Sequence, residues 1–343
     1  MRAVMTVTIT KRLALIVLLV GPPAAPGTAA ALTAGELGVV INATDPASVE
    51  VGEYYARRRG IPPGNVVRIA LPPGRDEIGR DELEAARREV EVRLPASVQA
   101  LALAWTMPFR VECLSITTAF AFGFDPAFCA EGCRPTRPSP YFDSPSPAPY
   151  RDLHIRPAML LAGSSVAEAK AMIARGVAAD STFPPGTAYL LSTSDRARNT
   201  RARGYPAAEQ AAAGRIRVER RQADHLLDRD DVLFYFTGQA TVAGLETLRF
   251  RPGAIADHLT SAGGVLSGRE QMTVLRWLEA GATASYGTVM EPCNFSMKFP
   301  SPTVVIGRYV RGETLIEAYW KSVAWPGQGL FVGEPLAAPF RRP

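Results

Sequence analysis

A thiol and an imidazole in this sequence could together perform nucleophilic chemistry. Cys293 is one of four cysteines, and His258 is one of three histidines in the chain. A histidine beside a cysteine lowers the pKa of the thiol and accepts its proton, which makes the sulfur a nucleophile. Asp257 or Glu291 would orient the imidazole, and Gln239 is the further polar side chain expected nearby. These five residues form the candidate catalytic site of a cysteine hydrolase.

The elements that must position these residues are apolar segments typical of β-strands. Residues 232–236 (VLFYF) lead into Gln239, residues 282–289 (ATASYGTV) lead into Cys293, and His258 lies between the two segments. In an open parallel sheet, functional groups collect at the carboxyl ends of the strands. We therefore expect Gln239, His258 and Cys293 to converge.

The four cysteines are Cys113, Cys129, Cys133 and Cys293, and they permit three complete pairings. Cys129 and Cys133 are four residues apart in a loop that contains glycine, so we predict a disulfide between them. The alternative for that pair is a metal half-site, although no histidine or second cysteine pair lies at ligand spacing. Structural alternatives also exist for the catalytic pair, a disulfide of Cys293 with Cys113 and a buried hydrogen bond for His258.

Motifs that would bring a cofactor or a metal are absent from the sequence. The chain has no phosphate-binding G-x-x-x-x-G-K-[ST] loop, no G-x-S-x-G nucleophile elbow and no H-E-x-x-H zinc motif. Gly327, Gly329 and Gly333 are spaced wrongly for a dinucleotide fingerprint. We therefore predict no cofactor and no metal.

The N-terminal residues have the composition of an export signal. Three basic residues precede or border the apolar run 13–20 (LALIVLLV), and small residues follow at 29–31 (AAA). The apolar run is too short to span a bilayer, which needs about 20 residues. We predict a secretory signal peptide over residues 1–31 and an exported mature protein, periplasmic or extracellular, with no transmembrane segment.

The charge of the chain does not indicate a nucleic-acid partner. The formal net charge is +5, and it falls to +2 once the three basic residues of the predicted leader are removed. The basic clusters at 57–59 and 217–221 are predicted to lie on solvated helix faces. Nucleic-acid binding needs a clustered basic surface, often with stacking aromatic residues, and the sequence shows none.

From residue 37 onward the sequence alternates between strand and helix patterns. Residues 37–42 (LGVVIN) predict a strand, Asp45 and Pro46 predict the start of a helix, and residues 65–71 (NVVRIAL) predict the next strand. This βαβ pattern continues along the chain, with no internal repeat. It favours a single elaborated α/β domain over residues 32–343, with a mostly parallel sheet covered by helices on both faces.

Two stretches depart from simple alternation. Residues 107–157 contain two close cysteines and a run rich in proline and serine, which indicates a lid or surface insertion or else an exposed linker. Residues 205–227 are rich in alanine, arginine and glutamate, which predicts one long helix.

Four long motifs resemble an uncharacterised exported bacterial family. They are residues 37–69, which begin LGVVINATDP, residues 253–264 (GAIADHLTSAGG), residues 277–294 (WLEAGATASYGTVMEPCN) and residues 312–340, which begin GETLIEAYWK. That family occurs in bacteria that carry exosortase, the membrane enzyme that sorts PEP-CTERM proteins. The resemblance implies envelope or exopolysaccharide components of an exosortase system as partners, and it implies no particular reaction.

A weaker resemblance is to the gingipain and caspase-like cysteine peptidases. In those proteins one strand ends in Gly-His-Gly and the next ends in the nucleophilic cysteine. Residues 232–240 (VLFYFTGQA) are similar to the first element but have Gln239 in place of histidine, and residues 258–264 (HLTSAGG) lack the cysteine. The resemblance implies a caspase-hemoglobinase-like architecture in a divergent or inactive member.

Three functions are therefore considered for the chain. The first is an exported envelope protein that is a divergent or inactive caspase-like member. The second is a cysteine hydrolase that uses Cys293 and His258. The third is a periplasmic module that binds a glycan or a peptide, with residues 107–157 gripping the ligand.

Overall fold

The computed structural model describes residues 3–5, 31–130 and 133–342. The predicted export signal over residues 1–31 lies outside these ranges, apart from residues 3–5 and Ala31, so it stays a prediction. Within the described ranges, no helix has both the length and the apolar character needed to cross a membrane.

The described residues form twelve β-strands and nine α-helices. The strands are β1 (Leu37–Asn42), β2 (Val66–Ile69), β3 (Ala100–Leu103), β4 (Arg110–Val111), β5 (Leu114–Ser115), β6 (Ala158–Leu160), β7 (Thr187–Ser192), β8 (Arg217–Gln222), β9 (Arg229–Thr237), β10 (Leu248–His258), β11 (Ala284–Thr288) and β12 (Gly329–Gly333). The helices are α1 (Pro46–Arg59), α2 (Arg80–Arg93), α3 (Ile116–Phe122), α4 (Pro149–Leu153), α5 (Val166–Ala179), α6 (Tyr205–Ala212), α7 (Leu275–Glu279), α8 (Pro302–Tyr309) and α9 (Leu315–Trp320).

Local sequence explains the first βαβ unit. The carboxylate of Asp45 caps α1 by accepting a hydrogen bond from the amide of Ala47 at 3.0 Å, and Pro46 occupies the first helical turn. Gly60 ends the helix with φ at 63°, a left-handed conformation that glycine adopts without steric cost. β1 pairs in parallel with β2 on one side and with β3 on the other, which confirms the predicted βαβ unit.

One ten-stranded sheet holds these elements together, in the order β2-β1-β3-β6-β12-β11-β10-β9-β7-β8. β12 runs antiparallel to β11, and parallel pairings predominate in the rest of the sheet. Every residue of β1, β3, β11 and β12 is buried, which requires cover on both faces of the sheet. The predicted fold class, a mostly parallel α/β sheet flanked by helices, is confirmed.

The prediction of one long helix over residues 205–227 is wrong in its second half. α6 ends at Ala212, and residues 217–222 form β8, which pairs with β7 along six residues. β8 is the last strand of the sheet, and none of its residues is fully buried. A charged edge strand and a solvated helix face share this composition, so the sequence pattern does not separate them.

Residues 107–157 are only partly the exposed surface stretch that their composition predicts, since many residues between 133 and 147 are exposed and lie outside helices and strands, whereas the first part is packed into the core. The stretch contains the β4–β5 hairpin and α3, and residues 116–121 of α3 are all buried. The hydroxyl of Ser115 caps α3 by accepting from the amide of Thr118 at 3.1 Å, and it donates to the carbonyl of Gly329 at 2.6 Å. These bonds fasten α3 to the first residue of β12. α3 is short and has no exposed polar face, so it lacks the periodicity that marks an amphipathic helix.

Candidate functional site

All four cysteines are in disulfides. Cys113 is bonded to Cys129 and Cys133 to Cys293, with a Cα–Cα distance of 5.5 Å in each. The predicted Cys129–Cys133 disulfide is therefore wrong, and so is the alternative of a metal half-site there, because zinc binds thiolates. Cys129 and Cys133 each form a disulfide with a cysteine outside their own loop. Cys293 is bonded to Cys133 and not to Cys113, and a sulfur in a disulfide is not a nucleophilic thiolate.

His258 is the last residue of β10, and both of its ring nitrogens have partners. The indole N–H of Trp277 donates to Nδ1 at 2.9 Å. Since an indole can only donate, the proton of the neutral imidazole is on Nε2, which lies 2.9 Å from the carbonyl of Met272 and donates to it. Burial lowers the pKa of His258 to about 4. His258 is therefore a satisfied buried histidine, and it forms no catalytic dyad with Cys293.

Asp257 forms a buried ion pair and does not orient an imidazole. Its Oδ1 lies 2.5 Å from Nη1 of Arg201, and the hydroxyl of Tyr319 donates to its Oδ2 at 3.4 Å. Arg201 also donates to the carbonyl of Thr237 at 3.0 Å. Burial raises the pKa of Asp257, and the charge of Arg201 opposes that effect. The carboxylate therefore serves to neutralise a guanidinium inside the core.

Gln239 and Glu291 lie in different surroundings. The side chain of Gln239 lies beside Asp224 and makes a hydrogen bond to it. Hydrogen bonds from Ser194 hold the pKa of Asp224 below its ordinary value, and the bond from Gln239 adds a smaller effect in the same direction. Glu291 instead accepts a hydrogen bond from the amide of Cys293 at 2.6 Å. Of the predicted site residues, the structure brings Glu291 beside Cys293, which is two residues away in sequence, and it gives Gln239, Asp257 and His258 other partners.

A cavity of about 300 Å³ lies beside the Cys133–Cys293 disulfide. Glu291, Thr260 and Arg198 are among the residues that line it. The Nε of Arg198 donates to Oγ1 of Thr260 at 3.1 Å, and its Nη1 pairs with a neighbouring aspartate at 2.8 Å. The polar groups on this side of the cavity are therefore largely bonded to one another.

A larger cavity, of about 500 Å³, opens where β1, β3 and β6 end. Its polar lining follows these strands directly, with Asp45 and Ser48 after β1, Thr106 after β3, and Ser164 and Ser165 after β6. β1 lies between β2 and β3, so the chain first leaves β1 toward one side and later returns on the other. Ligands of parallel sheets bind at such a switch point, and we name this space the switch-point cavity.

Two helices begin at the switch-point cavity. α1 is capped by Asp45, and α5 is capped by Ser165, whose hydroxyl accepts from the amide of Glu168 at 3.1 Å. Each helix has 14 residues, and the first turn of each carries a partial positive charge. Among the described residues that line the cavity, Asp45 has the one charged side chain. The negative charge of Asp45 therefore offsets the partial positive charges at the N-terminal ends of α1 and α5.

The rest of the cavity wall is apolar and held by hydrogen bonds. Trp105 from the end of β3 and Leu266 from the segment after β10 are among the apolar residues. The hydroxyl of Thr106 donates to the carbonyl of Gly163 at 3.0 Å and accepts from its amide at 3.3 Å. This exchange joins the loops after β3 and β6 at the cavity wall.

The switch-point cavity has no signature in the sequence because its polar residues are common ones. Asp45 has the sequence context of a helix cap, and the hydroxyls of Ser48, Thr106 and Ser164 have no motif around them. The sequence signal that could indicate this cavity is the position of these residues directly after predicted strands. The rule that sites lie at the carboxyl ends of parallel strands applies to β1 as much as to β9 or β11.

Among the described residues, no group of three or more histidine, cysteine, aspartate or glutamate side chains is arranged to hold a metal. Comparisons with protein-family models, with curated proteins and with solved structures find no match for this chain. Its fold and cavity define a disulfide-bonded α/β protein with a cavity of mixed polar and apolar lining at a switch point of its sheet.

Proposed function

We propose that this chain is an exported envelope protein that binds a small neutral glycan in the switch-point cavity. The observation that carries the proposal is the cavity, whose volume of about 500 Å³ is lined by hydroxyl groups, one carboxylate and apolar side chains. Small-molecule sites have volumes of roughly 300 to 1,000 Å³. The two disulfides support an oxidising, exported setting. The resemblance to the exosortase-associated family supports partners among envelope or exopolysaccharide components.

The charges around the cavity favour a neutral ligand. An anion would meet the carboxylate of Asp45, and a cation would meet the N-terminal ends of α1 and α5. A sugar has hydroxyl groups that donate to a carboxylate and accept from serine hydroxyls such as that of Ser164. Its C–H faces pack well against apolar walls such as those of Trp105 and Leu266. This combination is what the cavity offers.

The two rival functions lack the groups they need. A cysteine hydrolase would need a thiolate at Cys293 and a base at His258, whereas the sulfur is in a disulfide and the imidazole is buried and neutral. A ligand grip by residues 107–157 would use the exposed part of that stretch, between residues 133 and 147, and no residue of that part lines the switch-point cavity. A divergent, inactive relative of the caspase-like peptidases is compatible with our proposal.

Calorimetric titration with a panel of monosaccharides and disaccharides tests the proposal. Each neutral sugar is paired with a uronic acid and an amino sugar of the same ring size. We expect binding of at least one neutral sugar, and binding weaker by about tenfold or more for its charged analogues, since a poorly matched charge costs more than a neutral hydrogen bond. If no neutral sugar binds, or if a charged analogue binds best, the proposal is wrong.

Asp45→Asn tests the role of the carboxylate, because asparagine caps a helix as well as aspartate does. We expect neutral-sugar affinity to fall by about tenfold and the discrimination against the uronic acid to shrink. Asp125→Asn is the matched control, because Asp125 also begins an Asp-Pro-Ala sequence and accepts from the amide of Ala127 at 2.8 Å. Asp125 does not line the switch-point cavity. Equal effects of the two variants on affinity would contradict the site.

A further inference from the structure

The backbone amide of Leu32 donates a hydrogen bond to a buried carboxylate. The amide nitrogen lies 3.1 Å from Oε2 of Glu317, and both residues are 1% exposed. The same oxygen accepts from the amide of Thr314 at 3.0 Å and from its hydroxyl at 2.6 Å. Three neutral donors therefore converge on one oxygen of Glu317.

Among the described residues, no basic side chain forms an ion pair with Glu317. Lys321 acts on it from a distance, since its Nζ lies 3.1 Å from Glu313, which Arg308 also contacts at 2.9 Å. Burial raises the pKa of Glu317, and hydrogen bonds from Thr314 and the charge of Lys321 oppose that effect. A buried carboxylate with neutral donors alone lowers the stability of the fold at neutral pH.

Leu32 is also the first residue after the predicted signal-peptidase site at 29–31 (AAA). We propose that the chain is cut between Ala31 and Leu32, and that the new α-ammonium group of Leu32 forms a buried ion pair with Glu317. The cut is a hydrolysis that consumes one water. The peptide C–N bond breaks, Ala31 gains a carboxylate and Leu32 gains an ammonium group. The uncut chain presents a neutral amide at the same place, so processing supplies the charge that Glu317 lacks.

The folded structure closes the cleavage site. Arg341 donates to the carbonyl of Ala31 at 2.8 Å and to that of Leu32 at 3.4 Å, and Ala31 is 5% exposed. A peptidase cannot reach this bond in the folded protein, so the cut precedes folding, as it does when a leader is removed during export. Glu317 belongs to α9, and Trp320 of that helix donates to the carbonyl of Ala158 in β6 at 2.9 Å. The ion pair therefore fastens the mature N-terminus to the sheet.

This inference depends on the export part of the proposed function and is independent of the glycan site. The first test is to express the full chain in a bacterial host and to find its N-terminus by mass spectrometry. We expect Leu32. A mature N-terminus at another residue would overturn the inference and would leave glycan binding untouched, whereas a loss of glycan binding would not move the N-terminus.

An acylating reagent tests whether the Leu32 amine is buried, without any substitution. In the folded mature protein we expect the α-amino group to react many-fold more slowly than the side chain of Lys170, which is 30% exposed. Unfolding in urea should abolish the difference. Acylation of the Leu32 amine as fast as that of Lys170 in the folded protein would overturn the ion pair.

Four proteins measure the coupling between the two charges. They begin at Leu32 or retain Ala31, and each has either the natural Glu317 or Glu317→Gln. With Glu317, we expect retention of Ala31 to lower the Tm by several degrees, and with glutamine we expect little change, because the ammonium group then has no carboxylate to pair with. Glu36→Gln is the control, since Glu36 accepts from the adjacent amide of Thr33 at 3.0 Å. An equal effect of Ala31 in all backgrounds would overturn the inference.

The pH dependence gives the same test in the natural sequence. A carboxylate partner raises the folded-state pKa of the ammonium above its unfolded value of about 7.7 to 8.0. The stability advantage over the Ala31 form is therefore present at pH 7 and is lost as the pH rises past the raised pKa. The charged or titratable groups that surround the pair are Lys321, Glu313, Arg308, Tyr141 and Arg341, and all are present in both forms. Only the Ala31 form offers Arg341 the carbonyl of Ala31, and the Glu317→Gln background separates that difference from the ion pair. An advantage that persists unchanged at pH 11 would contradict the pair.

Discussion

The carboxyl ends of β1, β3 and β6 use their polar side chains differently from the carboxyl ends of β9, β10 and β11. In the second group, Asp257, His258 and Cys293 are each bonded to another part of the protein. In the first group, Asp45 and Ser164 line an open cavity. The residue types with the strongest intrinsic reactivity are therefore part of the scaffold, and ordinary residues face the space for a ligand.

The cause of the difference is burial. His258 and Asp257 lie in the core, where a polar group without a partner costs free energy. Each therefore takes a partner, Trp277 and Met272 for the imidazole and Arg201 for the carboxylate. At the ends of β1, β3 and β6 the hydroxyls of Ser48, Thr106 and Ser165 bond to nearby backbone groups, whereas the exposed side chain of Ser164 faces the cavity without a partner among the described residues. A residue's chemistry thus depends on what surrounds it as much as on its type.

The disulfide of Cys293 gives the largest expected effect if the second region is scaffold. It closes a loop of 160 residues, so the double substitution Cys133→Ser with Cys293→Ser should lower the free energy of unfolding by about 5 kcal/mol. The Cys113–Cys129 disulfide spans 16 residues and should contribute about 3 kcal/mol. Urea unfolding of both double variants measures this order. A stable double variant, or hydrolase activity that appears when Cys293 is reduced, would reverse our view of this region.

The ion pair of Asp257 is expected to have the next largest effect. Asp257→Asn leaves the guanidinium of Arg201 buried without a counter-charge, and such a loss costs about 3 to 5 kcal/mol. Unfolding in urea checks the value. Glu112→Gln is the control, because it breaks the exposed pair of Glu112 with Arg80 and should leave the unfolding midpoint almost unchanged. Similar midpoints for the two variants would show that burial does not control the contribution of Asp257.

His258 should make the protein less stable in acid. Its folded-state pKa of about 4 lies below the ordinary value of 6.5, so its stabilisation is present above pH 6.5 and is lost as the pH falls through about 4. The total loss is about 3 kcal/mol, since each pKa unit corresponds to 1.36 kcal/mol. Urea unfolding between pH 7 and pH 4 measures the slope, and His258→Gln should flatten it. An NMR titration of His258 with a midpoint near 6.5 would contradict its burial and its two hydrogen bonds.

The fold was predictable from the sequence wherever the residues within a segment were enough to specify its secondary structure. The apolar run of β1 and the Asp45–Pro46 start of α1 are local signals, and the parallel pairing with β2 follows from them. β8 was not predictable because its charged residues suit a helix face equally well, and pairing with β7 decides the outcome. α3 was missed because burial on all sides removes the helical period from its sequence.

The site was harder to predict than the fold. Spacing brought Glu291 and Cys293 together correctly, since they are two residues apart, but it could not show that Cys293 meets Cys133 from a distant segment. Neighbouring residues of a strand point to opposite faces, so Asp257 and His258 necessarily have different surroundings. Which partner each one meets depends on tertiary packing, which no local pattern records.

Ser164→Phe should have the smallest effect on stability and a large effect on binding, and it therefore tests the first region alone. Ser164 is exposed and no hydrogen bond of its side chain supports the described fold, so the unfolding midpoint should change little. The phenyl ring would occupy part of the switch-point cavity, and binding of neutral sugars should be abolished. Ser97→Phe is the control for an added aromatic ring, because Ser97 is also exposed and does not line the cavity. If Ser164→Phe binds sugar normally, the ligand does not bind in the switch-point cavity. The carboxyl ends of β1, β3 and β6 would then differ from those of β9, β10 and β11 in packing and not in ligand binding.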